Sequence, residues 1–377
     1  MDFTFTEEQR AAVEAAKAVF SGVTPDAVPS PALTPGAVSE DLDRPLWSRL
    51  AAADLLGLVV SPEHGGGGLD PVALCLVLRE SARVLARVPL LETSAVAMTV
   101  ERYAPRGTAA ALLPRVSRGE LVLTAASQGR TGHDPAELAV TARRDGTDWI
   151  LDGLQTAVPW AHGADLVAVP AHTTEGGTVL ALLPRTHDGV DLTAQYSTHG
   201  ELLAELRLDS VRLGSADVID AEGAWERLRD LLTTGTCALA LGLGEAVLTM
   251  TSQYTGKREQ FGHPVATFQA VAVQTADRYI DLRAMEATLW QAAWRLATGA
   301  EAALPAAGDI AVAKIWASEG VRRVVQTAQH LHGGFGADTD YPLHRYHAWA
   351  KHLELSLGPA AAHEDALGDL LAAHPLG

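Results

Sequence analysis

Basic residues are scarce in this 377-residue chain: 29 Lys and Arg stand against 46 Asp and Glu, a net charge of −17 at neutral pH. Nucleic-acid backbones are bound by clustered Lys and Arg that release counterions, and the sequence shows no basic stripe, which excludes nucleic acid as an expected partner. Cysteine is scarcer still. Cys75 and Cys237 lie far apart in apolar helical context, which reads as two buried thiols rather than a disulfide or a metal site and suits a reducing cytoplasm. No unbroken apolar run reaches the roughly 18 residues a membrane span needs. The start, "MDFTFTEEQRAAVEAAKAVF", carries acids where a secretory signal needs positive charge. A Gly-x-Ser-x-Gly elbow is missing, and so is an early strand-loop-helix with a glycine fingerprint, which removes the Ser-His-Asp hydrolase and Rossmann readings. His330, His332, His344, His347 and His352 cluster in sequence without the spacing of metal ligands, so no metal is expected and they read as solvated or interface histidines.

What is present is enough apolar material, 47% of residues, to bury a large core in two or three domains. The texture changes twice. Residues 1–119 read as helices, with Thr6 as an N-cap before Glu7 and Glu8, and with "RPLWSRLAAADLLGLVV" at helical spacing. The Pro-rich "GVTPDAVPSPALTPGAV" reads as an exposed loop. The run Gly65–Gly68 reads as a tight turn between packed helices, ahead of a helix opened by Pro71. Over residues 120–214 the period shortens to two, and "LAVTARRDGTDWILDG" and "ADLVAVPAHTTEGGTVLALLP" read as hairpins, followed by "GVDLTAQYS" and "LLAELRLDSVRL". From 215 to 377 long helices return, the last read as "YHAWAKHLELSL" with a stop at Gly358–Pro359. The expected fold class is therefore mainly α with an inserted β-domain.

Two stretches carry candidate chemistry. "KREQFGHP" offers a fork-shaped donor at Arg258, an amide at Gln260 and a ring at Phe261. "HLHGGFGAD", His330 to Asp338, holds glycines that let backbone amides approach an anion, although a helix C-cap and turn would use the same residues.

Taken with the domain order, "KREQFGHPVATFQAV" and "HLHGGFGADTDYPLHR" make the chain resemble the acyl-CoA dehydrogenase family along nearly its whole length. The resemblance implies an N-terminal helical domain, a middle β-sandwich or barrel domain and a C-terminal four-helix-bundle domain. It also implies FAD, shared across a subunit interface, and desaturation of an acyl-CoA at the α,β bond by a Glu base and the flavin. The resemblance carries Arg258, Gln260, Phe261, Gln269, Gly333, Gly334 and Gly336 over as the contacts to the ADP side of FAD. The flavin side departs from the pattern. Where the family has Thr-Glu-Pro and Gly-Ser this chain reads "TAASQGRTGHDP", and Pro159 replaces a hydroxyl residue, offering neither hydroxyl nor N–H. The commonest base position falls on Leu357, and the alternative one falls near Leu232 and Thr233. Glu354, one helical turn before Leu357, is the substitute base to test; Glu245, Asp230 and Glu226 read, as Glu354 does by default, as paired or solvated carboxylates. The loss is one-sided, which makes the chain resemble the base-lacking partner subunit of heteromeric members. The alternatives are a self-sufficient homo-oligomeric flavoenzyme, with a relocated base or different flavin chemistry, and a non-enzymatic scaffold.

Overall fold

Thr6 opens helix α1 (Glu7–Phe20) with a capping box. Its hydroxyl accepts the Gln9 N–H at 3.2 Å while the Gln9 carboxamide accepts the Thr6 N–H at 3.0 Å. This computed structural model describes residues 4–39, 41–131 and 138–375. Helix α2 (Arg44–Ala52), capped by Asp43, is shorter than its apolar spacing predicts, because the chain leaves the helix at Asp54, a non-glycine residue at φ 56°. Leu55, Leu56, Leu58, Val59 and Val60 are buried in turns instead. The glycine run explains this. A Cβ on Gly66 would lie 2.1 Å from the Val60 carbonyl oxygen, and Gly67 and Gly68 donate back to Gly57 and Val60. These glycines serve backbone-on-backbone packing.

Helices α3 (Pro71–Arg83), α4 (Leu90–Tyr103) and α5 (Arg106–Ser117) complete the first helical segment. Among the described residues eight strands follow: β1 (Leu123–Ala125), β2 (Val140–Asp145), β3 (Asp148–Pro159), β4 (Leu166–Thr173), β5 (Thr178–Pro184), β6 (Val190–Tyr196), β7 (Leu202–Leu213) and β8 (Val218–Ile219). They form one sheet in the order β6-β7-β3-β2-β4-β5-β8, with β1 paired to β4. The β2–β3 turn closes at Asp145↔Asp148, with Gly146 at φ 67°. Alternating residues such as Val140, Leu151, Val167, Leu183 and Leu206 build a core of the sheet's own.

Helix α6 (Ala224–Lys257) then leads through a small hairpin, β9 (Glu259–Gln260) and β10 (His263–Pro264), to α7 (Gln269–Thr298), α8 (Ala306–His332) and α9 (Leu343–Leu355). The expectation that α9 ends the helices is corrected by α10 (Ala360–Ala373). Gly358–Pro359 does stop α9, yet Pro359 also sits at the N-cap of the next helix, where its missing N–H costs nothing. The expectation about membrane spans needs a similar correction. Helix α6 is long and apolar enough to cross one, but 78% of its most apolar stretch is buried inside the fold. It is the central core helix, crossed so closely by α3 that a Cβ on Gly242 would lie 2.0 Å from the Arg79 carbonyl oxygen.

Candidate functional site

Leu357, where the resemblance puts the family's base, sits just past the end of α9, beside a cavity of about 90 Å³. Walls come from α3 and α4, the loop after β1, the end of β3, the β6–β7 loop, α6 and α9. Pockets for drug-sized ligands and cofactors run to roughly 300–1,000 Å³, so nothing as large as a flavin ring fits in this one.

Direct contacts close the space. The Leu357 N–H donates to the Gln128 carboxamide at 2.9 Å, and the Trp349 indole donates to the His199 carbonyl at 2.9 Å. His199 stacks on His352 with ring centroids 3.9 Å apart. Arg87 reaches Glu201 at 2.6 Å. Burial sets the electrostatics of this enclosure. It pushes the carboxyls of Glu92 and Glu201 up to about 7, against the opposing Trp160 hydrogen bond and the Arg87 charge respectively. It holds His352 down to about 4 and His199 well below the usual imidazole range. At neutral pH the site therefore favours uncharged histidines. Of the histidines expected to be solvated or at an interface, His332 is only 3% exposed and packs within its own chain, and His352 is part of this wall.

Pro159 lines the cavity and its carbonyl accepts the Thr124 hydroxyl at 2.6 Å. Leu232 lines it too, whereas Thr233 faces a separate outer groove and bonds the Arg229 carbonyl at 2.8 Å. Part of the loop that replaces the flavin-contacting segment, residues 132–137, lies outside the described residues.

The carboxylates weighed as substitute bases are engaged elsewhere or lie apart. Glu354 pairs with Lys351 at 2.6 Å and does not line the cavity. Glu245 pairs with Arg79 and Arg83. Asp230, 3.7 Å from Arg229, lines the outer groove, where burial raises its carboxyl to about 6, and Glu226 is exposed. Beneath the Leu357 loop, buried Lys314 donates to Ser318 and to the carbonyls of Leu353 and Glu354. The ammonium thus satisfies carbonyls left over at the C-terminus of α9.

The remaining predicted residues come together on the surface. Arg258 and Gln260 are exposed on the hairpin after α6, and Gln269 is the exposed first residue of α7. Phe261 and Gly262 form the two-residue hairpin loop at φ 53° and 79°. Such loops favour Asn or Gly, so a Phe there costs strain, and this one is 91% exposed. The glycine segment continues α8 as a 3-10 turn, Gly333–Ala337. It touches the α6 end through Tyr254, which packs against Phe335 and whose hydroxyl donates to the His332 carbonyl at 3.4 Å. Around Gly333 and Gly334 a Cβ would meet nothing within 4 Å, so both backbones are open to approach. Gly336 differs: it is buried, with a would-be Cβ 2.8 Å from the Gln329 carboxamide nitrogen and 3.1 Å from the His332 Cβ, so it packs inside the turn rather than facing solvent. The turns at Arg258 and Gly333 are thus open to solvent, the cavity of about 90 Å³ on one side of Leu357 is small, and the outer groove on its other side is larger, about 820 Å³.

Sequence reasoning missed Glu92, His199, Glu201 and the carboxamide of Gln128. Only Gln128 left a signal, as part of the altered "TAASQG" loop. Glu92 looks like any acid in a helix's first turn, and the other two are brought in by the β6–β7 loop.

Comparison with known proteins agrees with this architecture. The family model "Acyl-CoA dehydrogenase, N-terminal domain" matches residues 6–120, and "Acyl-CoA dehydrogenase, C-terminal domain" matches 231–371. The chain is 34% identical to Acyl-CoA dehydrogenase FadE27 of Mycobacterium tuberculosis, over 100% of both chains. Among solved structures it superposes on a chain of the ChsE4-ChsE5 complex from Mycobacterium tuberculosis with TM-score 0.90 and 32% identity, covering 100% of each. A chain of a Tcur3481-Tcur3483 steroid ACAD variant matches with TM-score 0.88 and 36% identity, covering 97% of this chain and 98% of that one. The chain belongs to the acyl-CoA dehydrogenase family.

Proposed function

We propose that this chain is the base-lacking partner subunit of a heteromeric acyl-CoA dehydrogenase, acting in the cytoplasm, where Cys75 and Cys237 remain thiols. The family carries out FAD-dependent dehydrogenation of CH–CH donors. On this reading Arg258, Gln260, Phe261, Gln269, Gly333 and Gly334 form the surface that receives the ADP end of an FAD, and buried Gly336 shapes the turn beneath it. The isoalloxazine and the base then belong to a homologous polypeptide. When bound, FAD supplies the hydride acceptor. The residues of this chain bind and orient its nucleotide end: a guanidinium and two open backbone segments suit a pyrophosphate, and an exposed ring suits a flat, apolar surface.

The observation that carries the proposal is the contrast between an apolar, buried Leu357 where the family's base is expected and an exposed Arg258–Phe261 turn in the same chain. Two solved relatives are described by paired protein names, ChsE4-ChsE5 and Tcur3481-Tcur3483, which supports a heteromer. The word steroid in the description of the second makes a steroid acyl-CoA the first substrate class to assay. The rival, a self-sufficient flavoenzyme with Glu354 as its base, has the Lys351 ion pair against it.

The test is co-expression with a base-bearing acyl-CoA dehydrogenase. The two chains should co-elute, and acyl-CoA oxidation should need both. A homomer of this chain that oxidises acyl-CoA unaided would overturn the reading.

A further inference from the structure

A single side chain stands between two spaces in this chain. Among the described residues Leu357 alone lines both the inner cavity of about 90 Å³ and the outer groove of about 820 Å³. The two differ in chemistry. Glu92, His199, Glu201 and His352 line the cavity, whereas Ile310, Ala362 and Leu370 give the groove an apolar wall.

Leu357 lies in the short link between α9, which ends at Leu355, and α10, which begins at Ala360. Leu357 and Gly358 both have left-handed backbones, at φ 59° and 95°. Glycine adopts that conformation freely, but a leucine there is strained. Two side chains oppose the strain. The Gln128 carboxamide accepts the Leu357 N–H at 2.9 Å, and His363 donates through Nε2 to the Leu357 carbonyl at 2.8 Å. The strain and the net worth of two such bonds are of the same order, so the closed position is held by a narrow margin. On one side the last turn of α9 is fixed, because the fully buried Lys314 donates to the Leu353 and Glu354 carbonyls at 3.0 and 3.1 Å. On the other, Pro359 restricts the backbone at the start of α10. Movement is thereby confined to Ser356, Leu357 and Gly358. A swing toward the groove would still set the leucine against an apolar wall, which limits its cost in burial.

We propose that Leu357 is a gate between the two spaces, closed in this structure, which opens on the Ser356–Gly358 link to let water and small neutral solutes pass from the groove into the polar cavity. What enters finds hydrogen-bonding partners on the cavity wall. The gate belongs to this chain alone and does not depend on the ADP-side reading.

The experiment uses the full chain and follows, by NMR, exchange of the Trp349 indole proton with solvent water, the signal being assigned with Trp349→Phe. That N–H lies on the cavity wall, bonded to the His199 carbonyl at 2.9 Å. Trp47 is the internal reference: it is buried, does not line the cavity, and donates to the Gly119 carbonyl at 3.1 Å. Leu357→Ala trims the gate and should raise the exchange rate of Trp349 relative to Trp47 about tenfold or more. Leu357→Met, which restores the volume, should keep the parent's ratio. If Leu357→Ala does not fold, Gln128→Met removes one latch without emptying the wall and should raise the ratio roughly three- to tenfold. An unchanged ratio in the folded variant, or one that Leu357→Met raises as far as Leu357→Ala does, would overturn the gate and leave Leu357 as ordinary packing.

Discussion

Replacing Leu357 with Glu puts a carboxyl where the resemblance expects the family's base, and the structure predicts that this damages the fold without creating an enzyme. Leu357 is 3% exposed, faces both the closed cavity and the outer groove, and sits at φ 59°. Losing its apolar burial removes about 1.5–3 kcal/mol. Placing a polar carboxyl there without a partner costs roughly another 1–3 kcal/mol. Partial relief comes if the new side chain turns into the outer groove, where Arg229 and His363 lie. The expected net loss is therefore about 2–5 kcal/mol. Burial raises the pKa of the introduced carboxyl in the folded state. Its ionisation penalty is absent where both states are protonated and sets in as pH rises past the unfolded value of about 4.3. The deficit should thus be smaller in acid than at neutral pH. Urea midpoints across that range read the stability, and acyl-CoA-dependent dye reduction with added FAD reads the chemistry. A variant as stable as the parent, or one that binds flavin and turns over, would refute the reasoning.

Gly242→Ala should unfold at a markedly lower temperature, by about 2 kcal/mol or more in stability, because its Cβ would meet the Arg79 carbonyl oxygen at 2.0 Å and force α3 away from α6; an unchanged thermal midpoint would contradict the packing. His363 donates through Nε2 to the Leu357 carbonyl at 2.8 Å, and burial holds it down to about 4. Its folded value lies below its unfolded one, so its contribution is full above about pH 6.5 and is lost as pH falls toward 4. His363→Gln should flatten that acid loss by up to about 3 kcal/mol, measured as the difference in urea midpoints between the parent and the variant; parallel pH curves would argue against it. Arg258→Lys keeps the charge but loses the fork. It should leave thermal stability unchanged, since Arg258 is exposed, while weakening FAD binding to the heteromeric complex about tenfold; equal affinity would remove the guanidinium from the cofactor surface.

The order of helices, sheet and helices was legible because periodicity is a local property. Thr6, the β2–β3 turn and the Pro71 start all declared themselves through residues a few positions apart. Reading failed where tertiary contacts override the pattern. The run after Ala52 keeps helical spacing, yet the glycines at 66–68 bring their backbone against Gly57–Val60 and hold it in turns. Helix α10 was hidden because proline ends one helix and starts another with the same residue. In the candidate site, an apolar Leu357 at the expected base position was legible, but the contacts that pack the space around it were not. Gln128 reaches Leu357 across 229 residues, and His199 meets Trp349 across 150. No spacing rule reports contacts of that separation. Phe335 was visible as a letter in the glycine motif, whereas its exposure and its support by Tyr254 and Tyr341 exist only in three dimensions.

The central claim is that this chain offers a nucleotide-side surface and leaves the reacting ring to another polypeptide. Flavin content, read from the visible absorbance per chain, tests it most directly on two preparations: the chain purified alone, and the chain purified with a base-bearing homologue. The account predicts a nearly colourless protein alone and a yellow complex holding one FAD for each pair of unlike chains. A bright yellow preparation of the chain by itself would contradict it.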